Sequence, residues 1–322
     1  MAHEIEFVNG VAQHVYVGET PWHNLGKRVS ADLTPHQMMV EAGLDWTVSK
    51  VPLFAEVGGK RIKTGAEALI RDRDSSVLSV VTDTWNPLQN EEAFEFFNDF
   101  VMEGDVEMHT AGSLKNGQHV WALAKIKESF SLFNGKDQVD SYLLFSNPHI
   151  FGKSIDVRFT PIRVVCNNTL TLSLNSTSQR MAKVSHRREF DADAVKETMG
   201  IAHEKFSKYR EMAEFLSSKR YTADSIIEYF NTVFPKTSGS TEENNGVLHS
   251  RAAKLAYDTL ENQPGAEFGE GTYWSAYNSV TYLTDHLLGR TDDTRIYSSW
   301  FGTNQTKKVN ALNLAVEMAT AA

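Results

Sequence analysis

The spacing of apolar residues changes once along the chain, near residue 190, and no other feature limits the fold as strongly. Before that point apolar and polar residues alternate, the pattern of strands with one wet face. Trp46, Val48, Val51, Leu53 and Ala55 alternate from Asp45, Gly58-Gly59 turns the chain, and a second alternating run covers Arg61 to Arg71, which predicts a hairpin. Further strands are expected at Val77 to Thr84, at Val106 to Ala111 and His119 to Ile126 around the Lys115-Asn116-Gly117 turn, and at Tyr142 to Phe145 and Ile162 to Val165. Two short helices interrupt them. Thr34 caps a run opened by Pro35 and stopped by Gly43, and Asn90 begins a run with Phe94, Phe97 and Val101 on one stripe.

After Asp191 the period lengthens to about 3.6 residues. Ala194, Met199, Ala202, Phe206, Tyr209, Met212 and Leu216 define one long amphipathic helix. Thr222 opens another, carrying Ile226, Ile227, Phe230 and Val233 and ended by Pro235, and Arg251 to Leu260, Thr272 to Leu288 and Lys307 to Met318 give three more. The expected class is therefore α+β: an N-terminal, largely antiparallel sheet with short flanking helices, followed by a mainly helical C-terminal region. The expected division is an α+β core domain over 1–190 and a helical region over 191–322 packed on that core, with an exposed linker at about 236–246.

Charge narrows the partners. The chain carries 41 acidic and 32 basic residues, a net charge of −9, which argues against indiscriminate coating of DNA or of anionic membrane. Residues 151–190 reverse the balance, with seven basic residues against two acidic. Lys153, Arg158, Arg163, Arg180, Lys183, Arg187 and Arg188 are interleaved there with Phe151, Phe159, Asn167, Asn168, Ser176 and Ser178. Cations and amides of this kind hold phosphates, and aromatic rings stack bases, so the segment suits single-stranded nucleic acid. A structural reading stands beside it, in which Arg158 and Arg163 pair with surplus carboxylates of the N-terminal half.

Other chemistry is sparse. Gly58-Gly59-Lys60 lacks the spacing of a phosphate-binding loop. The 11 histidines show no zinc-ligand spacing, so neither a metal nor another cofactor is expected. The single cysteine, Cys166, permits no intramolecular disulfide and suits a reducing, cytoplasmic setting. Met1 to Gly10 does not read as a leader, and no apolar run is long enough to span a bilayer. Trp274, Asn278, Thr281, Tyr282 and Asp285 share one helical stripe with His286 beside it. A face so polar either joins a buried hydrogen-bond network or lines a ligand surface. Trp22 and His23, after Pro21, carry the same ambiguity.

Several blocks resemble a family of phage- and plasmid-encoded proteins without a settled biochemical role, also found in bacterial genomes within mobile elements. They are Thr20-Pro21-Trp22-His23 with Leu25-Gly26, Pro87-Leu88-Gln89-Asn90, Gly112-Ser113-Leu114 through Gly117 to Val120-Trp121-Ala122-Leu123, and Trp274 through Asn278 to Asp285-His286. The most specific is Thr160-Pro161-Ile162-Arg163-Val164-Val165-Cys166-Asn167-Asn168-Thr169-Leu170. The chain departs from the family where Ser146-Asn147-Pro148-His149-Ile150-Phe151-Gly152 replaces an Asn-His-Asp-Gly-like turn and Ser185-His186-Arg187 replaces a His-Thr pair.

Several related-looking mobile-element proteins bind and anneal single-stranded DNA, and a sheet flanked by helices and followed by a helical tail resembles, at the level of fold, the phage recombination annealing proteins that form rings or filaments. The resemblance thus implies a non-catalytic strand-pairing protein, expected to form a homo-oligomer, with Arg163, Arg180, Lys183, Arg187 and Arg188 on phosphates and Asn167 and Asn168 on backbone or sugar. Two rivals stay open. One is a host-interaction or defence-countering protein that binds a host or phage protein. The other is an enzyme acting on a nucleotide or small phosphate ligand, in which Trp274, Asn278, Asp285 and His286 converge with Trp22-His23 or Cys166-Asn167 in one cleft.

Overall fold

The computed structural model describes residues 5–21, 25–163, 168–169, 180–188, 190–191, 199–236, 246–289 and 295–322. Strands dominate the N-terminal half and helices the C-terminal half, as the two periods predict. Phe7–Val8 (β1) and Val11–Ala12 (β2) form a small hairpin, and His14–Tyr16 (β3) runs parallel to Lys27–Arg28 (β4). Val48–Val57 (β5), Lys60–Arg71 (β6) and Val77–Thr82 (β7) make a three-stranded antiparallel sheet. Val106–Leu114 (β8), His119–Leu132 (β9), Asp137–Pro148 (β10), Ser154–Arg163 (β11), Asn168–Thr169 (β12) and Arg180–Ser185 (β13) complete the main sheet. Its order is β12-β11-β10-β9-β8-β3-β4, and β13 pairs with β11.

Three strands, β9, β10 and β11, run well beyond their expected limits. In β10 every residue but Gln138 is buried, so the alternation that marks a strand with one wet face is lost and only a short apolar core stands out in the sequence. The aromatic helix after Asn90 also differs, breaking into Asn90–Glu95 and Asn98–Met102. Phe96 and Phe97 are both buried, at 1% and 0% exposure, and one straight helix would splay their side chains about 100° apart. A tight turn, with Phe97 N donating to Phe94 O at 3.0 Å, lets both rings pack on Phe145. The first helix, Pro35–Glu41, has the expected cap: Thr34 Oγ1 accepts from Gln37 N, and Gln37 Oε1 accepts from Thr34 N.

The chain gathers into two compact units. The first comprises residues 1–127, 142–159 and 180–200. Its core is aromatic and aliphatic, with Met38, Leu44, Trp46, Leu69, Phe94 and Leu143 buried. An ion pair sits inside it: Arg71 Nη1 lies 2.5 Å from Glu6 Oε1, with both side chains below 5% exposed. Ser113 Oγ donates to Glu6, and Asp74 takes the other side of the guanidinium. The Lys115-Asn116-Gly117 turn places all three residues at positive φ, and a Cβ on Gly117 would stand 2.4 Å from Arg71 Nη1. Glycine is required there by both backbone and neighbour.

The second unit comprises residues 128–141, 160–179 and 201–322. Helix Met199–Ser218 turns Phe206, Tyr209, Ala213 and Leu216 inward, and Phe130 packs against Phe206 and Tyr209 at 5.4 and 6.1 Å. Ala223–Val233, Arg251–Asn262, Arg295–Phe301 and Thr303–Ala321 are the further α-helices around Tyr273–Tyr282, in which residues 273 to 281 are all buried. The last turn of the expected 272–288 helix is a π-helix, Leu283–Leu287. Its Thr284 carbonyl accepts from Asn304 Nδ2 at 2.9 Å and from Ser299 Oγ at 3.3 Å, partners that offset the widened backbone ladder. Among the described residues no helix is long and apolar enough to cross a membrane.

Candidate nucleic-acid interface

In the first unit, β11 and β13 pair so that Ser154 faces Ser185 and Asp156 faces Lys183. This register brings the turn before β11 and the turn after β13 to one end of the ladder. Phe151, Gly152 and Lys153 form the first turn, with Lys153 N donating to Ile150 O and Gly152 at φ +77°. Phe151 is tied down by its amide, which donates to Ser79 Oγ at 3.2 Å, while its ring stays 48% exposed. In the second turn Arg188 N donates to Ser185 O and Arg187 N to Ser185 Oγ.

His186 anchors that second turn. Its ring stacks on Trp85 at 4.0 Å and contacts Asn86 O through Nδ1, while Asn86 N donates back to His186 O. The histidine is buried and Arg187 and Arg188 beside it are exposed. Lys153, Lys183, Arg187 and Arg188 are all exposed, and none makes an ion pair with another described residue. Lys153, Arg187 and Arg188 on these turns, with Lys183 two residues in along β13, are thus unpaired among the described residues and, with the open Phe151, are equipped to hold phosphates and stack a base.

Arg158 has a different setting. It is 7% exposed and forks Asp156, with Nε 2.8 Å from Asp156 Oδ2 and a second short contact through Nη2. Arg163, Asn168 and Arg180 are placed as strand backbone, Arg163 opposite Asn168 and Arg180 opposite Arg158. Asn167 and Cys166 lie outside the described residues, as do Trp22 and His23.

The polar stripe of the second unit is an internal network. Trp274 Nε1 donates to Asp137 Oδ2 at 2.9 Å, and Asn278, fully buried, donates to Trp274 O at 2.8 Å. Asp285 meets Lys308 Nζ at 2.7 Å, with the lysine 0% exposed. Burial lowers the lysine's pKa and the aspartate raises it back in part. The rings of Tyr282 and His286 lie 4.6 Å apart, tilted to each other, and both residues are half-buried. Lys308 was not visible beforehand, since nothing in Lys307-Lys308 marks one neighbour as interior.

Histidines are conspicuous inside the first unit. His119 is held down to about 3, by burial first and then by the nearby positive groups Lys115, His149 and Arg158. His149 is also held to about 3, by burial and then His186 and Arg71. Its Nε2 meets Asn90 Oδ1 at 3.1 Å, whereas Nδ1 is buried without a hydrogen-bond partner among the described residues. His14 and His186 fall to about 4, again through burial first, although backbone carbonyls raise each back in part. All four rings are neutral at pH 7. Among the described residues no group of three or more His, Cys, Asp or Glu is placed to hold a metal.

A cleft of about 560 Å³ opens in the second unit beside Tyr221 and Tyr257, with Arg220, Glu261, Glu267 and Glu270 around it. None of the residues singled out from the sequence lines it. The family model described as Domain of unknown function (DUF932) matches residues 77–313, well over half of the chain. The chain belongs to this family. The DUF932 match takes in both exposed turns of the interface and the buried Trp274-Asp137 and Asp285-Lys308 pairs, and it begins just after the β5–β6 hairpin. No curated protein and no solved structure matches the chain significantly.

Proposed function

We propose that the first unit binds single-stranded nucleic acid non-catalytically, in strand annealing linked to recombination or replication of a mobile element. The observation that carries this reading is that Lys153, Arg187 and Arg188 on the turns at one end of the β11–β13 ladder, and Lys183 on β13 itself, are exposed and have no carboxylate partner among the described residues, with the exposed Phe151 on the first of those turns. Arg158 is left out of the contact set, because Asp156 already takes its charge in the interior. Arg180 belongs to the same reading through the sequence segment that carries it, whereas Arg163, Asn167 and Asn168 fall in the second unit and are not counted in this contact set. Buried histidines, held neutral, take no part in the phosphate contacts and serve to fix the turns. The mobile-element and cytoplasmic setting rests on the sequence blocks and on the single cysteine.

The test is a salt titration of the purified protein against a labelled single strand, with Arg187→Ala/Arg188→Ala alongside. Both side chains are on an exposed turn, so the variant should fold. Single-strand affinity should fall across sequences, and the slope of log K against log salt should flatten by about 1.4 for two lost phosphate contacts. Unchanged affinity and slope in the folded variant would remove this assignment.

A further inference from the structure

The β5–β6 hairpin extends past the part of its sheet that is packed. From Phe54 to Gly65 every residue is exposed, on both faces. Such a two-stranded ribbon is marginal in water without something to cover it. Here it is bulged between Pro52 and Phe54 and braced by Thr64 Oγ1 donating to Leu53 O at 2.9 Å. Apolar side chains lie bare on it, with Phe54 45%, Val57 62% and Ile62 52% exposed.

The register sorts the side chains. Phe54 pairs with Lys63 and Glu56 with Arg61 on one face, and Ala55 pairs with Ile62 and Val57 with Lys60 on the other. Lys60, Arg61 and Lys63 make no ion pair with another described residue, against the one carboxylate of Glu56 at the tip. Cations therefore stand on both faces of a ribbon whose chain is otherwise acidic.

We propose that this ribbon, residues 53–64, is a second nucleic-acid contact that enters a groove of duplex DNA. A two-stranded ribbon fits the major groove, about 12 Å wide and 8.5 Å deep, and five residues per strand reach about 17 Å along it. A groove presents phosphates on two sides, which is what cations on two faces complement. Single strands are served less well, because the one aromatic ring is covered by the Arg61 guanidinium at 4.3 Å and offers no open stacking face there. Val57 and Ile62 supply apolar contact of the kind thymine methyl groups accept. The proposal shares only its class of ligand with the single-strand reading. Its residues are different ones, and they precede the family match.

The experiment compares wild type, Lys60→Ala/Arg61→Ala/Lys63→Ala and Arg187→Ala/Arg188→Ala on a 25-base-pair duplex and on a 25-base single strand, with light scattering on the same samples. At about 100 mM salt the ribbon variant should lose at least tenfold in duplex affinity, with its salt slope reduced by about 2.7, and keep single-strand affinity within twofold. Duplex affinity unchanged in the ribbon variant overturns the proposal, as does a wild type that binds no duplex at about 50 mM salt. A ribbon variant that keeps duplex affinity but changes in mass also overturns it, assigning the ribbon to a second copy of the chain. Loss of single-strand binding in the Arg187/Arg188 variant, or its absence, bears on the other site alone.

Discussion

Acid should unfold this protein through its buried imidazoles, well before its carboxylates titrate. His14, His119, His149 and His186 lie in one compact unit, each at most 3% exposed, with folded values of about 4, 3, 3 and 4. In the unfolded chain each returns to about 6.5. Between those values the unfolded state binds more protons, so stability falls as pH drops below about 6.5 and stops falling near the folded values. Each unit of pH below 6.5 is worth about 1.4 kcal/mol per ring, giving about 2 kcal/mol each at pH 5 and on the order of 8 kcal/mol for the four. That matches the whole stability of an ordinary domain, about 5–15 kcal/mol.

The assay is urea unfolding at pH 7.5, 6.0 and 5.0, followed by the fluorescence of Trp46, Trp85 and Trp121, all buried in the same unit. The midpoint should be flat above pH 7 and fall steeply from pH 6.5 to 5. His149→Gln should remove about 2 kcal/mol of that pH dependence, whatever it does to stability at pH 7.5. A midpoint equal at pH 7.5 and 5.0 would refute the argument. So would imidazole proton resonances of these four residues titrating near 6.5 in the folded protein.

Other perturbations separate the roles of particular groups. Lys308→Met should cost about 3–5 kcal/mol by leaving Asp285 buried and unpaired, and Lys308→Met/Asp285→Leu should regain much of the loss; equal urea midpoints for the two variants would contradict the pairing. Gly117→Ala should destabilise by more than 1 kcal/mol, because positive φ and the Arg71 guanidinium both oppose a Cβ, and a change under 0.5 kcal/mol in thermal unfolding would contradict it. Thr222→Ala removes the cap that accepts from Ser225 N and should cost about 1 kcal/mol, checked by chemical denaturation.

How much of this was legible depended on whether a residue's setting was local. The Thr34 cap with Pro35, the Gly58-Gly59 hairpin and the helix closed by Pro235 are decided by neighbours in sequence, and all are present. The full length of β10 was hidden because burial on both faces erases alternation, and the break at Phe96-Phe97 was hidden because adjacent rings both had to reach Phe145. The strand Arg180–Ser185 read only as a cationic stretch, since its pairing with Ser154–Arg163 is set by register and not by its own pattern. At the candidate site the exposure of Lys153, Lys183, Arg187 and Arg188 was expected from charge. That Arg158 turns inward follows from Asp156 two residues earlier on the same strand face, a spacing present in the sequence but also common on solvated strands. Of the ribbon cations, Lys60 was weighed only as part of a phosphate-binding loop, and Arg61 and Lys63 were passed over, because a hairpin gives no sign of whether its faces are covered.

The helical unit draws its substance from three separate stretches of the gene. Phe130 and Asp137, which meet Phe206, Tyr209 and Trp274, are encoded in the midst of the strand-rich half. A single genetic exchange between residues 190 and 200 would therefore deliver the long helices without the side chains they close upon. Shuffling between relatives should be tolerated where both partners of each such pair arrive from one parent, and the chain is inherited most safely whole.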